Sequence, residues 1–200
     1  MADRNQPRYN QKKRAALEAA AAVFAEHGYH GASTTAIAEH IGIKQGSLYY
    51  YFKSKQQALE EVCAYGIEDY VSRIDGIAAM ALPFAVRLLA VFQSHLSAFR
   101  ERRDAMKVYN DERLYLPESA RTELHARGSG YRKTLEDLFA RAVQKGELRA
   151  DLDCHFAALT VIGIGNAWGD LIVRDDTLDT TVLAQQCADL ILRGAVQAEA

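Results

Sequence analysis

A chain of 200 residues, 49% hydrophobic and 25% charged, can bury a sizeable core in one or two compact units and has the composition of an ordinary globular protein, not of a disordered chain. Its three cysteines (Cys63, Cys154 and Cys187) are odd in number, far apart and in no CxxC spacing; this argues against a disulfide framework and a zinc site and fits a reducing, cytoplasmic setting. The formal net charge is −2, but residues 1–55 carry eight Lys/Arg against four Asp/Glu, net +4, while the remainder carries sixteen against twenty-two, net −6. A basic front end on an acidic body is the distribution expected where one end meets phosphate.

In chain order, Met1 to Lys13 is polar and lacks the apolar core of a signal peptide. A first helix is expected from Asn10 to His27, with Leu17, Ala20, Ala21 and Phe24 at helical spacing and Gly28 as a left-handed cap. A second short helix begins at the Ser33-Thr34-Thr35 hydroxyls, carries Ile37 and Ile41 and stops at Gly42. A third runs from Lys44 to Phe52. Ser54 with Gln57 three residues on is a capping box opening a fourth, Lys55 to about Ile74. Beyond it, Pro83 suits the first turn of a helix reaching Glu101, and Pro117 precedes a long helix, Glu118 to Lys145, that Gly146 ends. Two more follow, Asp153–Ile172 and Thr180–Val196. No strand-like alternation stands out, and no stretch is expected to reach membrane-spanning length, the longest apolar run lying at Val161–Ile164. The class is all-α: a small N-terminal head and a larger helical body.

The segment Ser33 to Phe52 carries the chemistry. Two short helices joined by a tight Gly-containing turn make a helix-turn-helix. Ile37, Ile41, Ile43, Leu48 and Phe52 form its small core. Lys44, Gln45, Gly46, Ser47, Tyr49, Tyr50 and Tyr51 then face outward, a polar and aromatic set without a carboxylate. Such a surface suits the electronegative major groove.

This segment resembles the tetracycline-repressor (TetR) family of transcriptional regulators. The matching positions are Thr34, Thr35, Ile37, Ala38, Gly42, Ile43, Gly46, Leu48, Tyr49, Tyr51, Phe52, Ser54 and Lys55, extended upstream by Ala20, Phe24, Gly28, Tyr29, Ala32 and Ser33. The resemblance implies a DNA-binding domain over residues 10–70, with the helix-turn-helix at 33–52, and a ligand-binding and dimerisation domain over 71–200. It implies that Thr34 or Thr35 caps the second helix and presents its amides to a phosphate. Lys44, Gln45, Gly46 and Ser47 would lie where base edges are read, Gln45 reaching an adenine and Gly46 letting the backbone approach DNA. Tyr49, Tyr50 and Lys55 would sit on phosphates, while Leu48 and Phe52 are core and Tyr51 serves packing as readily as contact.

The same resemblance implies a homodimer through the last two helices, double-stranded operator DNA and a small-molecule effector as partners, and no membrane. Gly163 and Gly165 are expected to allow close helix approach. Leu116-Pro117, Arg121, Tyr131, Leu135, Gly146, Leu148-Arg149 and Asp153 are similar to the branch of the family that governs fatty-acid and steroid catabolism, whose effectors are often acyl-CoA thioesters; Asn166-Ala167-Trp168 departs from that branch's spacing. Helical placement nominates Phe92, His95, Phe99, Tyr109, Arg113, Asn166 and Trp168 as pocket residues, Arg113 for an anionic group. No HExxH, GxSxG or phosphate-cradling glycine loop occurs, so the expectation is a regulator without catalytic residues, metal or cofactor. A repressor released from a pseudo-palindromic operator by its effector is expected; an activator or an effector-independent DNA-binding protein is the alternative.

Overall fold

The computed structural model describes residues 5–195, with side chains from residue 9 onward. The first four residues of the basic arm, and Val196 at the expected end of the last helix, lie outside the described residues. Among those described there are nine α-helices and one short 3-10 turn: α1 Asn5–Gly31, α2 Thr34–Ile41, α3 Gln45–Leu48, α4 Lys55–Ala79, α5 Phe84–Glu101, α6 Arg103–Glu112, the turn Arg113–Tyr115, α7 Glu118–Gln144, α8 Cys154–Arg174 and α9 Thr180–Ala195. They divide into two compact units, residues 1–67 with 102–122, and residues 68–101 with 123–200.

In the first unit α1 buries Ala16, Ala19, Ala20, Val23 and Phe24, a stripe at helical spacing. Gly28 ends the first run of helix as expected, with a short second run behind it: at φ 69° and ψ 167° it interrupts the helix, which resumes through Gly31. Ser33, with an extended backbone, caps α2 by accepting from the Ala36 amide at 3.0 Å, so the cap is Ser33 and neither Thr34 nor Thr35. Gly42, left-handed at φ 79°, closes α2 and turns the chain into α3. The capping box at α4 forms: Ser54 Oγ accepts from the Gln57 amide at 3.1 Å, and Gln57 Oε1 accepts in return from the Lys53 amide at 2.7 Å.

Sequence reading passes over α6 and the turn after it, and the structure packs both into this first unit. The Lys107 ammonium donates to the Ala25 carbonyl at 2.7 Å, and a methyl group on Gly66 would lie 3.0 Å from the Ala105 carbonyl oxygen. The Arg102 guanidinium stands 3.8 Å from the centre of the Tyr65 ring, whose hydroxyl donates to Glu18 at 3.2 Å. Tyr115 stacks on Tyr29 at 6.0 Å.

In the second unit α5 packs against both α8 and α9. Its buried face is Phe84, Leu88, Val91, Phe92, His95, Leu96 and Phe99, where burial stabilises by about 1.5–3 kcal/mol per large apolar side chain. Asp153 caps α8, accepting from the Phe156 amide at 2.9 Å. Gly165 admits close approach: a Cβ there would meet the His95 ring at 2.9 Å. At Gly169 it would meet the Phe99 ring at 2.4 Å, a contact the sequence does not announce, whereas Gly163 has nothing within 4 Å. Contrary to the sequence expectation, α8 is by length and composition long and apolar enough to cross a membrane. Its polar residues, His155, Thr160, Asn166, Asp170 and the closing Arg174, are spread along it rather than clustered. Its buried face lies within this unit.

Candidate nucleic-acid interface and body site

The short α3 and the turn after it present the outward set. Lys44, Gln45, Gly46, Ser47, Tyr49 and Tyr50 are all exposed, Tyr50 by 72%, while Leu48 and Phe52 are buried. The expected third helix is cut short. Only Gln45–Leu48 is helical, with Lys44 as a cap that makes no side-chain bond, and Tyr51 and Phe52 donate back to the Leu48 carbonyl at 2.8 and 3.0 Å in a closing turn. Gln45 does not hang free. Its amide nitrogen donates to Thr34 Oγ1 at 3.1 Å, tying the front of α3 to the start of α2. Thr35 is exposed one residue further along α2. A Cβ on Gly46 would meet nothing within 4 Å, so the head itself has no steric need for glycine there.

Lys55 is placed differently from the rest. Its ammonium donates to the carbonyls of Ala32 at 2.7 Å and His30 at 3.3 Å and lies 4.6 Å from the centre of the Tyr29 ring. Two of its three donors thus satisfy carbonyls at the end of α1 and fix the approach to α2.

The pocket candidates separate. Phe92, His95, Phe99, Asn166 and Trp168 belong to the second unit, Tyr109 and Arg113 to the first. The exposed Arg113 guanidinium donates to the carbonyls of Tyr109, at 3.2 Å, and of Asn110; it caps α6. Tyr109 is half-buried beside it, and burial raises its hydroxyl pKa.

His95 is the centre of the other group. It is 2% exposed, with Nδ1 3.2 Å from the Tyr131 hydroxyl and Nε2 3.1 Å from Asn166 Oδ1. Because Oδ1 only accepts, Nε2 carries the proton and donates to it, and Nδ1 accepts from Tyr131. Burial lowers the imidazole pKa to about 4, against a smaller upward pull from the Asn166 bond. His95 is therefore neutral near pH 7. Tyr70 and Phe99 complete an aromatic wall at 4.6 and 5.7 Å from the imidazole. Tyr131 and Tyr70 escaped the sequence-based pocket set. Tyr131 enters the sequence reading only through the branch resemblance, and nothing in the spacing links it to a residue 36 positions away. Two surface grooves of the second unit, about 280 Å³ at Asp75, Thr134, Asp137 and Arg141 and about 330 Å³ at Arg73, Ser94, Ser97, Thr180 and Thr181, hold none of the nominated residues. Among the described residues no group of three or more His, Cys, Asp or Glu is placed to hold a metal ion.

Comparison with known proteins agrees with this geometry. Residues 16–62 match the family described as "Bacterial regulatory proteins, tetR family", and residues 82–195 match "Tetracyclin repressor-like, C-terminal domain". The HTH-type transcriptional repressor KstR2 of Mycolicibacterium smegmatis is 31% identical over 138 residues, 68% of this chain and 67% of the relative. The fatty acid metabolism regulator protein of Bacillus subtilis is 24% identical over 189 residues, 94% of this chain and 95% of the relative. The crystal structure of the TetR-family regulator PfmR from Thermus thermophilus superposes with a TM-score of 0.82 at 25% identity, covering 89% of this chain and 97% of that one. With both halves matched and the helix-turn-helix in place, the chain belongs to the tetR family of bacterial regulatory proteins and is a DNA-binding transcriptional regulator, not an enzyme.

Proposed function

We propose that the protein is a cytoplasmic repressor that binds a pseudo-palindromic operator as a homodimer and is released by a coenzyme A thioester. The observation that carries the DNA-binding half is the exposed, carboxylate-free surface from Lys44 to Tyr50. In this reading Gln45 and Ser47 read base edges, Lys44 adds positive charge, and Gly46 admits the backbone. Tyr49 and Tyr50 donate to phosphates, and Thr34 and Thr35 bring the start of α2 to the backbone. Lys55 has the lesser role, its ammonium being engaged with the end of α1.

The homodimer would form through α8 and α9. Phe156, Leu159 and Leu171 on α8, and Val182 and Leu190 on α9, are between 43% and 68% exposed. Apolar side chains gathered in this way on two helices that pack together mark a protein interface. For the effector, the support is chemical kinship. One relative is named for fatty acid metabolism, and the wall of Tyr70, His95 and Phe99, with the Tyr131–His95–Asn166 chain as its polar element and Phe92 and Trp168 proposed as further lining, suits a ligand with an apolar body and a few hydrogen-bonding groups. Tyr109 and Arg113 contribute less to this reading, since Arg113 caps its own helix.

The test is to titrate long-chain acyl-CoA esters into the protein bound to a duplex it has selected from random-sequence DNA. Release at concentrations where free coenzyme A and free fatty acid have no effect is the expected result. Retention of the duplex throughout would remove the thioester from this account and leave the DNA-binding half standing.

A further inference from the structure

The aromatic residues of the recognition segment lie where its helix has already ended. α3 stops at Leu48, and Tyr49, Tyr50 and Tyr51 follow in a turn. With 72% of its surface exposed, Tyr50 is fixed neither by core packing nor by a helical ladder. A side chain left that free loses rotamer entropy on meeting DNA, and binding weakens unless something holds it beforehand.

The first turns of α1 hold it. The Tyr9 ring meets Tyr50 edge-on at 5.6 Å between centroids and stacks on Tyr51 at 6.3 Å, while Tyr50 and Tyr51 meet edge-on at 5.4 Å. All three separations lie in the attractive range for aromatic pairs. One helical turn along α1, Lys13 grips the same turn from its backbone side. Its ammonium donates to the Tyr51 carbonyl, pairs with Glu61 at 2.6 Å and stands 4.1 Å from the centre of the Phe52 ring. The start of α1 is thereby fastened to the recognition turn at its rings, its backbone and its core.

The geometry points to Tyr9 as a positioning residue for DNA binding: it seats the Tyr50 ring in advance, so that the hydroxyl meets a phosphate oxygen without first being ordered. The inference rests on the reading of Tyr50 as a phosphate contact. It assigns Tyr9 no DNA contact of its own.

The full-length protein and a duplex it selects from random-sequence DNA provide the test. Tyr9→Ala is expected to lower affinity roughly threefold to tenfold, the worth of one or two aromatic pairs. Tyr9→Phe, which keeps the ring, should bind as the wild type does. In a Tyr50→Ala background, Tyr9→Ala should cost nothing further, whereas a merely structural role would cost the same in both backgrounds. An equal loss in both, no loss from Tyr9→Ala alone, or a Tyr9→Phe variant as weak as Tyr9→Ala would each overturn the inference. If Tyr50→Ala weakens binding and Tyr9→Ala does not, the phosphate reading survives and the positioning role falls. Should Tyr50→Ala leave affinity unchanged, both fall together.

Discussion

At Gly46 what the head needs can be separated from what the proposed DNA contact needs. A Cβ there meets nothing in the protein, and glycine inside a helix is less stable than alanine by about 0.5–1 kcal/mol. Gly46→Ala should therefore raise the urea midpoint slightly and weaken binding to the selected duplex, because the new methyl group stands between the α3 backbone and DNA. A variant that gained stability and kept full affinity would show that the backbone does not approach DNA at this point. The outward set was legible from the sequence because a tight turn at Gly42 and an apolar core at Ile37, Leu48 and Phe52 leave those positions nowhere else to face. The bonds among them were not. Gln45 reaches Thr34 across eleven positions and Tyr9 reaches Tyr50 across forty-one, pairings that depend on how α3 and its turn pack against α2 and α1 and leave no periodic trace.

Helix starts with a hydroxyl or carboxylate cap were readable: Ser54 and Asp153 mark α4 and α8 as expected. α6 escaped because Arg102 gives its N-cap no side-chain bond: its ten residues are amphipathic, with Ala105, Met106 and Val108 buried among charges, but no cap marks where the helix starts. The close contact of α8 with α5 was only half legible. Gly165 is readable from the sequence, but Gly169 against Phe99 and the chain from the buried Tyr131 and His95 to the exposed Asn166 depend on packing. That chain carries a pH signature. The folded-state pKa of His95 is depressed to about 4 from the usual 6.5, so the unfolded chain binds the extra proton first. The stability it contributes is fully present above pH 6.5 and is lost as pH falls towards 4, by at most about 3 kcal/mol. Urea unfolding across that window should show a steeper loss for the wild type than for His95→Gln. Parallel curves for the two proteins would mean that the imidazole titrates as it does in water.

For the molecule as a regulator, the proposed pairing through α8 and α9 and the proposed DNA-reading segment from Lys44 to Tyr50 answer one requirement, since a helix-turn-helix reads an inverted repeat when two copies are held together. Leu190, 64% exposed on α9, is the place to break that pairing. Leu190→Glu should sediment as a monomer and lose on the order of 10²-fold in affinity for the selected duplex, as the second head loses its tether. A variant that stays dimeric would move the interface elsewhere. The central claim is that paired copies of the surface around Gln45 and Tyr50 read DNA. Its most direct test is sequencing of the duplexes that the full-length protein enriches from random DNA. The account predicts a single inverted repeat with half-site centres about 34–36 Å apart, or a multiple of that spacing, and loss of one base preference per half-site in Gln45→Ala. No enriched motif, or an inverted repeat whose base preferences are all unchanged in Gln45→Ala, would contradict it.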